Sequence, residues 1–206
     1  MNVIRILIWV VLTALIVSCK NESAELPYIG QKTMVDGKEV PHTIPDWTYT
    51  NQAGDTVTNK DLSNYIYVAD FFFTSCPSIC PKVMKQMTIL QKEFADEPLV
   101  KLVSFTLDPV RDTPEKLMAY ANNIGADTDK WWFLAGEKEP TYELANEYFV
   151  VAYEDASVPG GFDHSGKILL VDKEGHVRSF AEGTDPSDTP KLIADINTLI
   201  QSYAKD

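Results

Sequence analysis

Two cysteines four positions apart, Cys76 and Cys80, are the residues of this chain most able to do chemistry together. They stand in Ser75-Cys76-Pro77-Ser78-Ile79-Cys80-Pro81, each followed by a proline, directly after a run of phenylalanines. Thiols held this close can close a plain disulfide, cycle as a redox couple, or supply half of a metal site. A bridge over so few residues gains little unfolded-state entropy, so stability is a poor reason for the pair. The third cysteine, Cys19, lies far away in sequence.

The elements around the pair say where it must sit. Residues 65–73 are β-branched and aromatic with almost no polar break, the pattern of a strand buried on both faces, and residues 99–107 repeat it. Between them Pro81 suits the first turn of a helix. Met84, Met87, Leu90 and Phe94 then fall at helical spacing and read as core rather than as thioether ligands. Cys76 therefore lies just past the carboxyl end of a central strand and Cys80 at the amino end of the next helix, the usual ligand position in an α/β fold. The partial positive charge there favours a thiolate and lowers a thiol pKa. Asp112-Thr113-Pro114-Glu115 opens another helix, with Asp112 or Thr113 as its cap and Gly125 at its end. Residues 131–136, 167–172 and 177–182 supply further strands, with a turn over 173–176, and residues 190–203 a closing amphipathic helix. Residues 43–62, around Ala53-Gly54-Asp55, predict an N-terminal β-hairpin. The sum is a three-layer α/β domain, a mixed sheet with helices outside.

The first residues read differently. Arg5 precedes an apolar run from Ile6 to Val17, shorter than the roughly 20 residues of a membrane span. It has the size of a signal-peptide core, and Ile16-Val17-Ser18-Cys19 resembles the lipobox of bacterial lipoproteins, which makes Cys19 a lipidation site. The expected organisation is a signal peptide over 1–18, a polar tether over 19–40 and a folded domain over 41–206. With Cys19 lipidated, the odd count of three cysteines leaves only Cys76 and Cys80 in the exported domain, where disulfides can persist. The 206 residues, 45% of them hydrophobic, can bury a real core, and the formal charge of −12 argues against nucleic acid as a partner.

Three segments carry a specific resemblance. Phe72-Phe73-Thr74-Ser75-Cys76-Pro77-Ser78-Ile79-Cys80-Pro81, Ser104-Phe105-Thr106-Leu107-Asp108-Pro109-Val110-Arg111-Asp112-Thr113-Pro114 and Asp163-His164-Ser165 stand in the order of the Sco/SenC signatures. The likeness runs from about Trp47 to the C-terminus. These are thioredoxin-like, membrane-anchored copper proteins that help assemble cytochrome c oxidase. The resemblance implies a thioredoxin-like domain, Cys76, Cys80 and His164 as copper ligands, delivery to the copper-centre subunit of the oxidase, and a thiol reductant as a second partner. Taken with the lipobox-like segment, it gives the expected location: exported, lipid-anchored to a bacterial membrane and facing the periplasm. Many relatives use a transmembrane helix where this chain looks lipidated.

The donor chemistry agrees. Soft thiolate sulfurs with one imidazole suit Cu(I), and zinc is the competitor because two cysteines, one histidine and a water form a known zinc set. The Gly-rich stretch before residue 167 reads as a loop able to swing His164 toward or away from the sulfurs. Asp163 could orient His164, and Asp108, past the end of the neighbouring strand, could face the same crevice or simply shape the turn before Pro109. His42 and His176 read as surface residues. Two other functions fit the cysteines: a thiol–disulfide oxidoreductase or peroxidase, and a structural disulfide in an exported interaction module.

Overall fold

The structure is a computed structural model and describes residues 25–154, 157 and 162–204. Along the chain come strands β1 (Thr33–Val35), β2 (Lys38–Val40), β3 (Thr48–Asn51), β4 (Thr56–Thr58) and β5 (Ile66–Phe72), then helix α1 (Cys80–Glu93). Strand β6 (Val100–Thr106), helix α2 (Pro114–Ile124), β7 (Trp131–Ala135) and α3 (Lys138–Glu147) follow. The chain then forms β8 (Ala152–Glu154), β9 (Phe162–His164), β10 (Lys167–Val171), β11 (Val177–Glu182) and α4 (Thr189–Tyr203).

Seven strands make one mixed sheet in the order β11-β10-β5-β6-β7-β3-β4. Strands β5, β6 and β7 are parallel, and β10 and β3 join them antiparallel on either side. The expected hairpin is β3–β4, paired from Thr48↔Thr58 to Thr50↔Thr56. Every residue of β5 is buried, and because successive side chains point to opposite faces, both faces must be covered. Phe72 meets Tyr120 of α2, 5.5 Å between ring centroids, while Phe71 meets Tyr148, just past α3, at 5.6 Å. The fold is thus the thioredoxin-like three-layer arrangement, with β5 at its centre and the cysteine segment leaving that strand's carboxyl end.

Residues 25–40, expected as a polar tether, are engaged with the domain over their first part. The buried Arg178 guanidinium donates to the backbone oxygens of Leu26 and Pro27, pairs with Asp172 at 2.9 Å, and lies 4.1 Å from the Tyr28 ring. Gly30 turns the chain at φ +108, where a Cβ would stand 2.4 Å from Phe149. Beyond it β1 and β2 form a second, exposed hairpin. His42 and His176 are half-buried in this same region rather than on the open surface: His42 Nε2 lies 2.9 Å from the Glu147 carbonyl oxygen, and His176 Nδ1 2.8 Å from that of His42. Among the described residues no helix is long and apolar enough to cross a membrane. The expected signal peptide and Cys19 lie outside the described residues.

Candidate metal centre

Helix α1 begins at Cys80, with Pro81 in its first turn, as the sequence predicts. Its N-cap residue, Ile79, makes no side-chain cap, and the first amide of the helix, which has no acceptor within the helix, needs another partner. The sulfur of Cys76 supplies it: the Cys80 backbone N–H donates to Cys76 Sγ at 3.5 Å. Ser78 Oγ lies 3.7 Å from the same sulfur. No disulfide joins the two cysteines, and their side chains are hydrogen-bonded to each other.

The two thiols are unequal. Cys76 is half-buried and Cys80 only 1% exposed. The hydrogen bond to Cys76, reinforced by burial, pushes the Cys80 thiol far above its ordinary range, with a backbone hydrogen bond to Phe73 opposing. The helix terminus therefore acts on one sulfur rather than on both: its N–H points at Cys76, while Cys80 is the protonated donor of the pair.

The other two segments come to the same end of the sheet. The chain leaves β6 at Thr106, directly beside the last residue of β5, Phe72. Asp108, 5% exposed, makes the turn there: its carbonyl accepts from the amides of Arg111 and Asp112 at 3.1 and 2.9 Å, and its carboxylate pairs with Arg111. This is the turn-forming arrangement considered for it beside Pro109. Asp112 is fully buried and not the helix cap; Thr113 is, accepting from Lys116 N at 3.4 Å.

His164 lies in a strand, not in a swinging loop. Strand β9 pairs antiparallel with β8, with Ala152 opposite His164 and Tyr153 opposite Asp163. The chain then turns at Gly166, φ +64, where a Cβ would meet Ile79 Cδ1 at 3.2 Å and Val83 Cγ2 at 3.5 Å. The backbone two residues past His164 is thus packed against the residue that precedes Cys80. Ladder pairing explains the difference from the loop expectation: Phe162-Asp163-His164 finds its hydrogen bonds in β8, a partner the Gly-rich sequence does not announce.

One residue near this site was passed over in the sequence. Asp70 stands in the middle of β5, fully buried, with Ser104 Oγ donating to one carboxyl oxygen and no hydrogen-bond partner on the other. Burial pushes its pKa up to about 7. A lone acid inside an otherwise apolar strand was itself the signal, because an ionisable group is rarely placed there without cause.

A parallel-centred α/β sheet with a hydrogen-bonded thiol pair at the start of the helix that follows its central strand defines a thioredoxin-like dithiol protein. The SCO1/SenC family model matches residues 35–201, and the chain belongs to that family. A SCO1/SenC family lipoprotein from Bacillus anthracis shares 30% identity and superposes with a TM-score of 0.71 over 77% of this chain and 95% of its own. BsSco, described with a disulfide switch and as a member of the Sco family of cytochrome c oxidase assembly proteins, is 29% identical with a TM-score of 0.67, covering 77% and 93%. ScoI of Bradyrhizobium japonicum, solved with copper bound, is 24% identical with a TM-score of 0.63, covering 76% and 99%, and shares the fold.

Proposed function

We propose that this protein binds copper through Cys76, Cys80 and His164 and passes it to the copper-centre subunit of cytochrome c oxidase. The observation that carries the reading is the convergence of two chain segments: the hydrogen-bonded side chains of Cys76 and Cys80 where the chain enters α1, and the backbone just past His164, packed on Ile79 between them. Two sulfurs and an imidazole suit Cu(I) in a trigonal site. Membership of a family that includes an oxidase assembly protein supports this choice of recipient. A lipid on Cys19 would hold the domain at a bacterial membrane in the periplasm, in line with the family lipoprotein from Bacillus anthracis. In such an oxidising compartment the pair needs a dedicated thiol reductant to stay competent for the metal.

The asymmetry of the thiols favours a second reading, thiol–disulfide exchange or peroxide reduction. An accessible sulfur facing an amide and a buried protonated partner are the two halves of an attacking and resolving pair. The two readings separate on His164. Purified, reduced domain challenged with copper and zinc together takes up one copper in preference to zinc. His164→Ala weakens copper binding by about 10–100-fold while the cysteines still form and break a disulfide. Unchanged copper affinity in that variant removes His164 from the site and leaves the thiol enzyme as the better account.

A further inference from the structure

Four donors converge on the carboxylate of Asp112, which is entirely buried. Thr74 contributes two of them, its backbone N–H at 2.9 Å to one oxygen and its hydroxyl at 2.5 Å to the other. Thr106 Oγ1 donates at 2.7 Å and Lys116 Nζ at 3.0 Å. A buried carboxylate is expensive unless its lone pairs are filled, and here they are filled from three different elements: the end of β6, the first turn of α2, and the segment between β5 and α1.

The third of these matters for the thiols. Thr74 stands two residues before Cys76, between the last residue of β5 and the half-buried sulfur. Cys80 is fixed separately, as the first residue of α1, whose buried face packs into the core. The separation and direction of the two sulfurs therefore depend on how firmly the residues ahead of Cys76 are held. A threonine held at both its amide and its hydroxyl by one carboxylate has little freedom to rotate.

We infer that Asp112 is a positioning residue for the dithiol: through Thr74 it sets Cys76 Sγ against Cys80. The inference deepens the proposed function and rests on Cys76 and Cys80 being its working pair. It gives the second signature segment a task distinct from metal ligation, since Asp112 reaches the site only through the threonine. The carboxylate cannot be replaced by its amide without loss, because an amide nitrogen would face one of the donors.

The test uses Thr74→Val, which removes the hydroxyl and leaves the amide bond, with Thr74→Ser as the conservative rescue and Asp112→Asn as the stronger lesion. The dithiol–disulfide equilibrium is measured without metal in redox buffers of reduced and oxidised dithiothreitol. Oxidising the pair forms the sulfur–sulfur bond and releases two protons, and the two electrons reduce the buffer disulfide. Cu(I) affinity is measured by chelator competition and stability by thermal melting. Thr74→Val shifts the dithiol equilibrium about tenfold, close to 30 mV, and Thr74→Ser behaves as the parent. Cu(I) affinity falls about tenfold in Thr74→Val, as is usual when a group orienting a ligand is lost. An equilibrium constant within about twofold of the parent in Thr74→Val overturns the inference, whatever happens to melting. Asp112→Asn, if folded, exceeds Thr74→Val in both shifts; a smaller effect also overturns it. A parent that binds no Cu(I) refutes the proposed function instead, and the metal-free equilibrium still decides the role of Asp112.

Discussion

The sulfur of Cys76 accepts from the first amide of α1, Cys80 N–H at 3.5 Å, one of the helix-terminal donors that has no partner within the helix. The second cysteine thus supports the first twice, through its amide and through its thiol. Reactivity follows. In the reduced protein iodoacetamide alkylates Cys76 first, and Cys80→Ser keeps a fast-reacting thiol while Cys76→Ser leaves one slower by about tenfold or more near neutral pH. Mass spectrometry of timed samples reads the order; equal rates for the two cysteines would contradict it.

Asp70 predicts a pH dependence of stability. Its folded-state pKa of about 7 lies above the ordinary value of 3.8, so folding favours the protonated form. The contribution is complete below about pH 4 and is lost as pH rises through 7, because the native state holds a proton the unfolded chain has released. The loss amounts to a few kcal/mol at most, given about 1.4 kcal/mol per unit. Asp70→Asn should gain on the parent between pH 5 and pH 8 in urea unfolding of the reduced, metal-free domain. Parallel pH profiles for the two proteins would show that Asp70 titrates normally.

Cys19 predicts a processing defect. If Ile16-Val17-Ser18-Cys19 is a lipobox, Cys19→Ser accumulates as an unprocessed, unlipidated precursor in the native host. Intact-mass analysis of the membrane fraction checks it, and a mature parent chain that lacks Cys19 would refute lipidation at that residue.

Much of this arrangement was legible in the sequence where the controlling interactions are local. The apolar runs became β5 and β6, Pro81 entered the first turn of α1, Thr113 capped α2, and Met84, Met87, Leu90 and Phe94 went into the core. What was not legible depends on distant partners. Helix α3 carries Pro140 and buries only Thr141, Leu144 and Ala145, so its sequence shows a weak stripe. The docking of residues 26–28 rests on backbone oxygens and a ring meeting Arg178, which no local pattern encodes. Asp112 looked like a cap because its neighbours start a helix; three of its four donor groups come from Thr74 and Thr106, in other segments, and only Lys116 is local. The strand at His164 exists only because β8 is there to pair with it.

The central claim is that Cys76 and Cys80 hold the copper as thiolates, which couples metal binding to their redox state. A disulfide offers no thiolate, and a single imidazole is a poor copper site. The most direct measurement is an anaerobic titration of Cu(I), buffered by a competing chelator, into fully reduced and fully oxidised domain. One copper per reduced domain and little binding by the oxidised one is the predicted result. Equal stoichiometry and affinity in the two states would contradict the assignment of Cys76 and Cys80 as ligands.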